Sequence, residues 1–146
     1  MNHFLIITNE FKDKGLVFTE KIRRYIEARG GSCQCYSSTG DDARHAAPDS
    51  ADIAEGTECV LVLGGDGTLI RAAAKLVDEK LPLIGVNLGT LGYLCELEAA
   101  NIFDAIDELM DGHYMLEERM MLSAYGIKNG IQTEAKTALN DVVIHR

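Results

Sequence analysis

Apolar residues along this chain follow two rhythms in turn, short continuous runs and stripes at helical spacing. The run HFLIIT at residues 3–8 is β-rich. Residues 16–29 follow with Phe18, Ile22, Tyr25 and Ile26 three and four apart, the spacing of one helix face. Gly30 and Gly31 then end that helix, because glycine takes the left-handed cap conformation without a Cβ clash. Residues 33–36 supply a second strand and complete a strand-helix-strand unit. Residues 37–55 are small, polar and acidic, carry Pro48 and show no period, so they predict a loop with freedom to move.

The rhythm repeats. ECVLVL at residues 58–63 has the unbroken apolar character of a parallel strand buried on both faces. Residues 68–79 predict a helix with Leu69, Ala72, Ala73, Leu76 and Val77 inward, and Pro82 lies just past its end. Residues 83–86 are another buried strand, and a second glycine-rich turn, NLGTLGYL, occupies residues 87–94. An acidic helix over residues 101–111 turns Ile102, Phe103, Ile106, Leu109 and Met110 inward and closes at Gly112. Beyond it the pattern changes to two long strands, residues 114–128 and 131–146, joined by the hairpin signal Asn129-Gly130. Alternation giving way to an antiparallel pair predicts a boundary near residues 98–113, with an α/β domain over 1–100 and a linker helix plus an incomplete β-rich domain over 101–146. Two strands alone are marginal in water, so the chain reads as a fragment or as borrowing a neighbour's sheet.

Composition narrows the partners. The 146 residues, 47% apolar, suffice for one domain with a real core and part of a second. No apolar run approaches the roughly 18 residues of a membrane span, and no basic leader precedes the first apolar segment, so the expected location is cytoplasmic. A net charge of −9 disfavours nucleic-acid backbones and anionic membranes while leaving small anions open at local sites. Cys33, Cys35, Cys59 and Cys95 include no Cys-x-x-Cys pair and fall mostly on strand-like segments, which reads as buried thiols rather than a metal site. His3, His45, His113 and His145 show no metal spacing. The acidic stretch over residues 81–118, without a Lys or Arg, reads as a solvated helix face.

The candidate chemistry sits in the two glycine turns, both of which follow strands and therefore share the carboxyl edge of a parallel sheet, where ligands bind. Gly64, Gly65 and Gly67 let a ligand approach the backbone, and the helix opening at Thr68 presents its positive dipole end, which suits a phosphate. The loop has no Gly-Lys-Ser/Thr ending and no Gly-x-Gly-x-x-Gly spacing. An aspartate inside such a loop repels phosphate unless it has another task. Asp66 can accept a proton from an alcohol attacking phosphorus, hold magnesium, or simply cap the helix amides. Asn87, Gly89 and Gly92 can equally form a tight connection with Tyr93 and Leu94 as core.

Taken in order, Gly-Gly-Asp-Gly-Thr at residues 64–68, Gly-Val-Asn-Leu-Gly-Thr-Leu-Gly-Tyr at 85–93 and Ala-Leu-Asn-Asp-Val at 138–142 resemble the three signatures of the first part of an NAD kinase. The resemblance spans most of the chain. Its first motif alone is shared by diacylglycerol and sphingosine kinases and by 6-phosphofructokinases. It implies an α/β, Rossmann-like parallel-sheet domain followed by the first strands of a β-rich second domain. It also implies transfer of a phosphoryl group from Mg²⁺-bound ATP, or from inorganic polyphosphate, to the 2′-hydroxyl of the adenosine ribose of NAD. On that pattern Asp66 is the proton acceptor, and Gly64, Gly65, Gly67, Thr68, Arg71, Tyr93, Asn140 and Asp141 contact the nucleotides. A homo-oligomer, dimer or tetramer, is implied as well. The completing part of the family's second domain is missing after Arg146, which leaves activity of this chain alone in question. A diacylglycerol-type lipid kinase and a non-catalytic nucleotide-binding module stand as alternatives.

Overall fold

In the computed structural model, which describes residues 1–38, 45–89 and 92–143, the first apolar run becomes strand β1 (His3–Asn9). Successive side chains of a strand point to opposite faces. Phe4 and Ile6 accordingly join one core cluster while Leu5 and Ile7 join another. β3 (Cys59–Gly64) divides in the same way, with Leu61 and Leu63 on the first face and Val60 and Val62 on the second. A strand buried on both faces needs a helical layer on each side.

Those layers are α1 (Val17–Ala28) and α3 (Ile102–Asp111) on one face and α2 (Asp66–Lys75) on the other. Ile22 and Ile26 of α1 meet Ile102, Ile106 and Leu109 of α3 in the cluster built on Phe4 and Ile6. Across the seam between these helices Tyr25 Oη donates to the Asp107 carboxylate at 2.9 Å, and its ring meets Phe103 edge-on at 4.9 Å. Leu69, Ala72 and Leu76 of the α2 segment pack on Leu5 and Ile7. With β2 (Ser32–Ser38), β4 (Leu83–Asn87) and β5 (Leu97–Glu98), the strands form one parallel sheet in the order β2-β1-β3-β4-β5. The order reverses between β1 and β3. The loops leaving these neighbouring strands diverge there and open a crevice at their carboxyl ends.

The predicted α/β architecture is therefore present, with local corrections. α2 starts at Asp66 and stops at Lys75, and a separate 3-10 turn (Val77–Glu79) follows. The tighter turn rotates Val77 off the apolar stripe, and it is exposed. β5 was missed because two residues carry no period. Of the loop predicted over residues 37–55, residues 39–44 lie outside the described residues. Its described remainder is tied down, with Ala46 and Ala47 buried, Asp49 paired to Lys75 at 2.5 Å and a 3-10 turn at Ser50–Asp52.

The chain divides into two compact units, Met1–Leu116 and Glu117–Arg146. In the second, the predicted long strands are four short ones: β6 (Leu122–Ala124), β7 (Ile127–Lys128), β8 (Ile131–Gln132) and β9 (Lys136–Ala138). β6 pairs with β9 and β7 with β8, both antiparallel. Asn129 (φ 53°) and Gly130 (φ 77°) form the expected hairpin turn, with positive φ at both central positions. The ladder breaks at Gly126, whose N–H donates to the Thr133 hydroxyl at 2.8 Å. No described residue of this unit is buried, so no sheet face holds longer strands in register. Residues 144–146, the end of the predicted last strand, lie outside the described residues.

Candidate nucleotide site

β3 delivers Gly64 and Gly65 to the carboxyl edge of the sheet, and α2 begins immediately with Asp66. A Cβ on Gly64 would collide with the Thr68 side chain, which is buried and whose Oγ1 accepts from Asn9 Nδ2 at 3.3 Å. Gly64 and Thr68 thus lock β3 to the first turn of α2. Gly65 is extended (φ −165°), and no side chain caps the first amides of α2. The Arg71 guanidinium folds back over Gly67, 3.3 Å from where a Cβ would stand.

Asp66 does not cap its own helix. Its Oδ2 accepts from the Tyr93 amide at 2.7 Å, and its Oδ1 accepts from the amides of Leu94 and Cys95 at 3.1 and 3.2 Å. The carboxylate clasps the second glycine turn to the first, and a Cβ on Gly92 would collide with it. The Tyr93 amide is the main cause holding the Asp66 carboxyl below the usual carboxylate range; partial burial opposes this, and the other two amides reinforce it. Asp66 is ionised at neutral pH. The Cys95 thiol hydrogen-bonds the same carboxylate, so all of its roughly four acceptor positions are engaged at the second turn.

A cation missing from the sequence reading also stands here. Lys12, from the loop after β1, donates from Nζ to the Gly64 carbonyl at 3.3 Å. Its ammonium lies 2.6 Å from the Cβ position of Gly65 and 3.6 Å from that of Gly89. Buried Asn87 pins Gly89 from both sides, accepting its N–H at 3.2 Å and donating to its carbonyl at 3.3 Å. Lys12, Asn87, Gly89 and Glu98 line a cavity of about 450 Å³. Only the strand order reveals this meeting, because Lys12 follows β1 and Gly64 ends β3, the neighbouring strands that flank the switch point.

The remaining candidates divide. Tyr93 is fully exposed, which corrects its reading as core, whereas Leu94 packs on the α2 face. Thr90 and Leu91 of the second turn lie outside the described residues. Asn140 and Asp141 are exposed and follow β9 in the second unit. Of the cysteines, Cys59 and Cys95 are buried, but Cys35 is exposed and Cys33 half-buried, correcting the expectation of four buried thiols. Burial pushes the thiol of Cys59 up to about 12 and that of Cys95 up to about 11, the latter with help from the Asp66 charge.

Comparison with known families places the chain. The model for the ATP-NAD kinase N-terminal domain matches residues 6–114. The chain belongs to the ATP-NAD kinase family. An NAD kinase of Agathobacter rectalis is 51% identical over 146 residues, covering all of this chain and 50% of that protein. An NAD kinase of Lachnospira eligens is 38% identical, covering all of this chain and 50% of its own length. The chain thus spans about half the length of the curated relatives it matches. A yeast NADH kinase solved in complex with NADH superposes with a TM-score of 0.62 at 15% identity, covering 96% of this chain and 47% of that one, a likeness of fold.

Within this ATP-NAD kinase chain, no three His, Cys, Asp or Glu side chains converge to hold a metal ion among the described residues. The Asp13 carboxylate is used by the amides of Phe18 and Thr19 and by the Thr19 hydroxyl, and Asp66 by three amides and the Cys95 thiol. These residues do not build a magnesium cage of their own. No helix among the described residues is long and apolar enough to cross a membrane.

Proposed function

We propose that this chain is the nucleotide-binding part of an NAD kinase that phosphorylates the 2′-hydroxyl of the adenosine ribose of NAD, giving NADP. The observation carrying this reading is the clasp of the two glycine turns by the ionised Asp66 on the carboxyl edge of the sheet. The 2′-oxygen attacks the terminal phosphorus of the donor. The new O–P bond forms as the bridging P–O bond breaks, ADP or shortened polyphosphate leaves with that electron pair, and the hydroxyl proton passes to Asp66. Phosphoryl transfer needs positioning more than covalent chemistry. The uncapped amides of α2, with Arg71 beside Gly67, suit the phosphates, and Mg²⁺ enters as part of the Mg-ATP substrate.

On this reading Tyr93 lies against a nucleotide base, and Asn140 and Asp141 bind ribose hydroxyls. The first unit binds nucleotide, and the second begins a β-rich domain finished by further chain. The acting protein is a cytoplasmic homo-oligomer, a state favoured by exposed Ile127 and Ile131 in the second unit. The test is NADP formation from NAD and Mg-ATP or polyphosphate by this chain joined to the second half of the Agathobacter rectalis relative. Turnover is expected, and Asp66→Asn should lower kcat by roughly 10²-fold or more with NAD still bound. Absence of NADP formation, or phosphorylation of diacylglycerol instead, overturns the proposal; unchanged kcat in Asp66→Asn removes the base assignment.

A further inference from the structure

A Walker-type glycine loop brings its own lysine to the phosphates, and this loop does not. We infer that Lys12, whose ammonium reaches the Gly64-Gly65 turn, supplies the missing cation and anchors the phosphate chain of the donor in the cavity it lines with Asn87 and Gly89. The inference rests on the kinase reading above and adds a binding residue to it.

Three observations converge. The ammonium sits over the turn, bonded to the Gly64 carbonyl at 3.3 Å, and with three donors it keeps two for a ligand. The two nearest backbone positions, Gly65 and Gly89, carry no side chain between the ammonium and the turns. The cavity that Lys12 lines with Asn87 and Gly89 has about 450 Å³, within the range of small-molecule sites.

Charge fixes which end of the cavity takes the anion. The chain carries −9 overall, so a polyphosphate is attracted only where a local cation outweighs that field. Two carboxylates also line the cavity. Asp13 is turned into the start of α1 by its bonds to Phe18 and Thr19, whereas Glu98 is exposed. Phosphate is therefore held at the Lys12 end and excluded from the Glu98 end unless a divalent cation accompanies it. The ligand chemistry is a linear tri- or polyphosphate, common to ATP and inorganic polyphosphate.

Calorimetry with inorganic tripolyphosphate on the 146-residue chain tests the site directly. Lys12→Met should weaken binding about tenfold or more, and Lys12→Arg should retain most of it. Gly65→Ala provides a second route. At φ −165° alanine is unstrained, and its methyl meets the Lys12 ammonium before anything else. It should weaken tripolyphosphate in the native background and add little on top of Lys12→Met, since both act through one group. Unchanged affinity in Lys12→Met, or full additivity of the two substitutions, overturns the inference.

Kinetics on an active protein carrying this chain separate the donors. Lys12→Met should raise KM for the donor while leaving KM for NAD within about threefold. A rise for both ATP and polyphosphate identifies their shared chain, a rise for one assigns the donor, and a rise for neither overturns the role. If no NADP forms at all, the kinase reading falls while tripolyphosphate binding still decides Lys12. If NADP forms and Lys12→Met changes nothing, the lysine falls and the kinase stands.

Discussion

Gly85 of β4 lies between two parts of the site, and adding one methyl there should disturb both. Its Cβ would stand 2.9 Å from Leu69 Cδ2 on α2 and 3.0 Å from both Cα and Sγ of Cys95. The leucine methyl can swing aside, but the Cys95 backbone cannot without moving the segment whose amides hold Asp66. Overpacking a filled core costs about 1–3 kcal/mol, while glycine to alanine in a strand returns about 0.5–1 kcal/mol. The midpoints of those ranges give an expected net loss for Gly85→Ala of about 1 kcal/mol, and at most about 2.5, which for a chain of this size is a fall in Tm of about 2–4 °C at the midpoint. Thermal unfolding followed by circular dichroism reads it. Leu69→Ala alone should cost about 2–5 kcal/mol, and the double variant should lose less than the sum because the new methyl fills part of the vacated space. A Tm that is unchanged or raised in Gly85→Ala, or strict additivity with Leu69→Ala, would refute the close approach of β4, α2 and the Cys95 segment.

Three further outcomes are expected. Burial raises the Asp13 carboxyl and the hydrogen bonds from Phe18 and Thr19 lower it by more, leaving it below its ordinary 3.8. Its stabilisation is then full above about pH 5, where the unfolded-state carboxyl is ionised, and lost as pH falls through the folded value, so urea midpoints should hold from neutrality to about pH 5 and drop below it, more steeply than in Asp13→Asn. Ile106→Ala should cost about 2–5 kcal/mol in chemical denaturation if α3 closes the first core, and a loss under about 1 kcal/mol would detach that helix from the fold. In labelling with a thiol-reactive disulfide, exposed Cys35, whose thiol is lowered by its hydrogen bond with Cys33, should react in the native state while Cys59 and Cys95, buried and held protonated, wait for unfolding; equal rates for these three would contradict the burial pattern.

Legibility in the sequence followed the range of the interaction. Strand β1, helix α1 and helix α3 were readable because Phe4 through Ile7, Ile22 with Ile26, and Ile102 with Ile106 and Leu109 repeat at the period of their own element. The glycine turns and the Asn129-Gly130 hairpin were readable because positive φ and close approach restrict residue choice locally. The second unit was overread: alternating residues around the hairpin suggest long strands, but without a sheet to bury them the pairing stops after two or three residues.

The residue types along the chain determined by themselves the α/β order, the two anion-suited turns and the acidic balance that confines anion binding to a local site. Only the tertiary structure decided what Asp66 holds and which cation faces the loop. Asp66 binds amides 27 to 29 residues away, and Lys12 reaches a carbonyl 52 residues away. Neither contact leaves a periodic trace, because each depends on which strands lie side by side, and that order is set by the packing of α1 and α3 on one face of the sheet and α2 on the other.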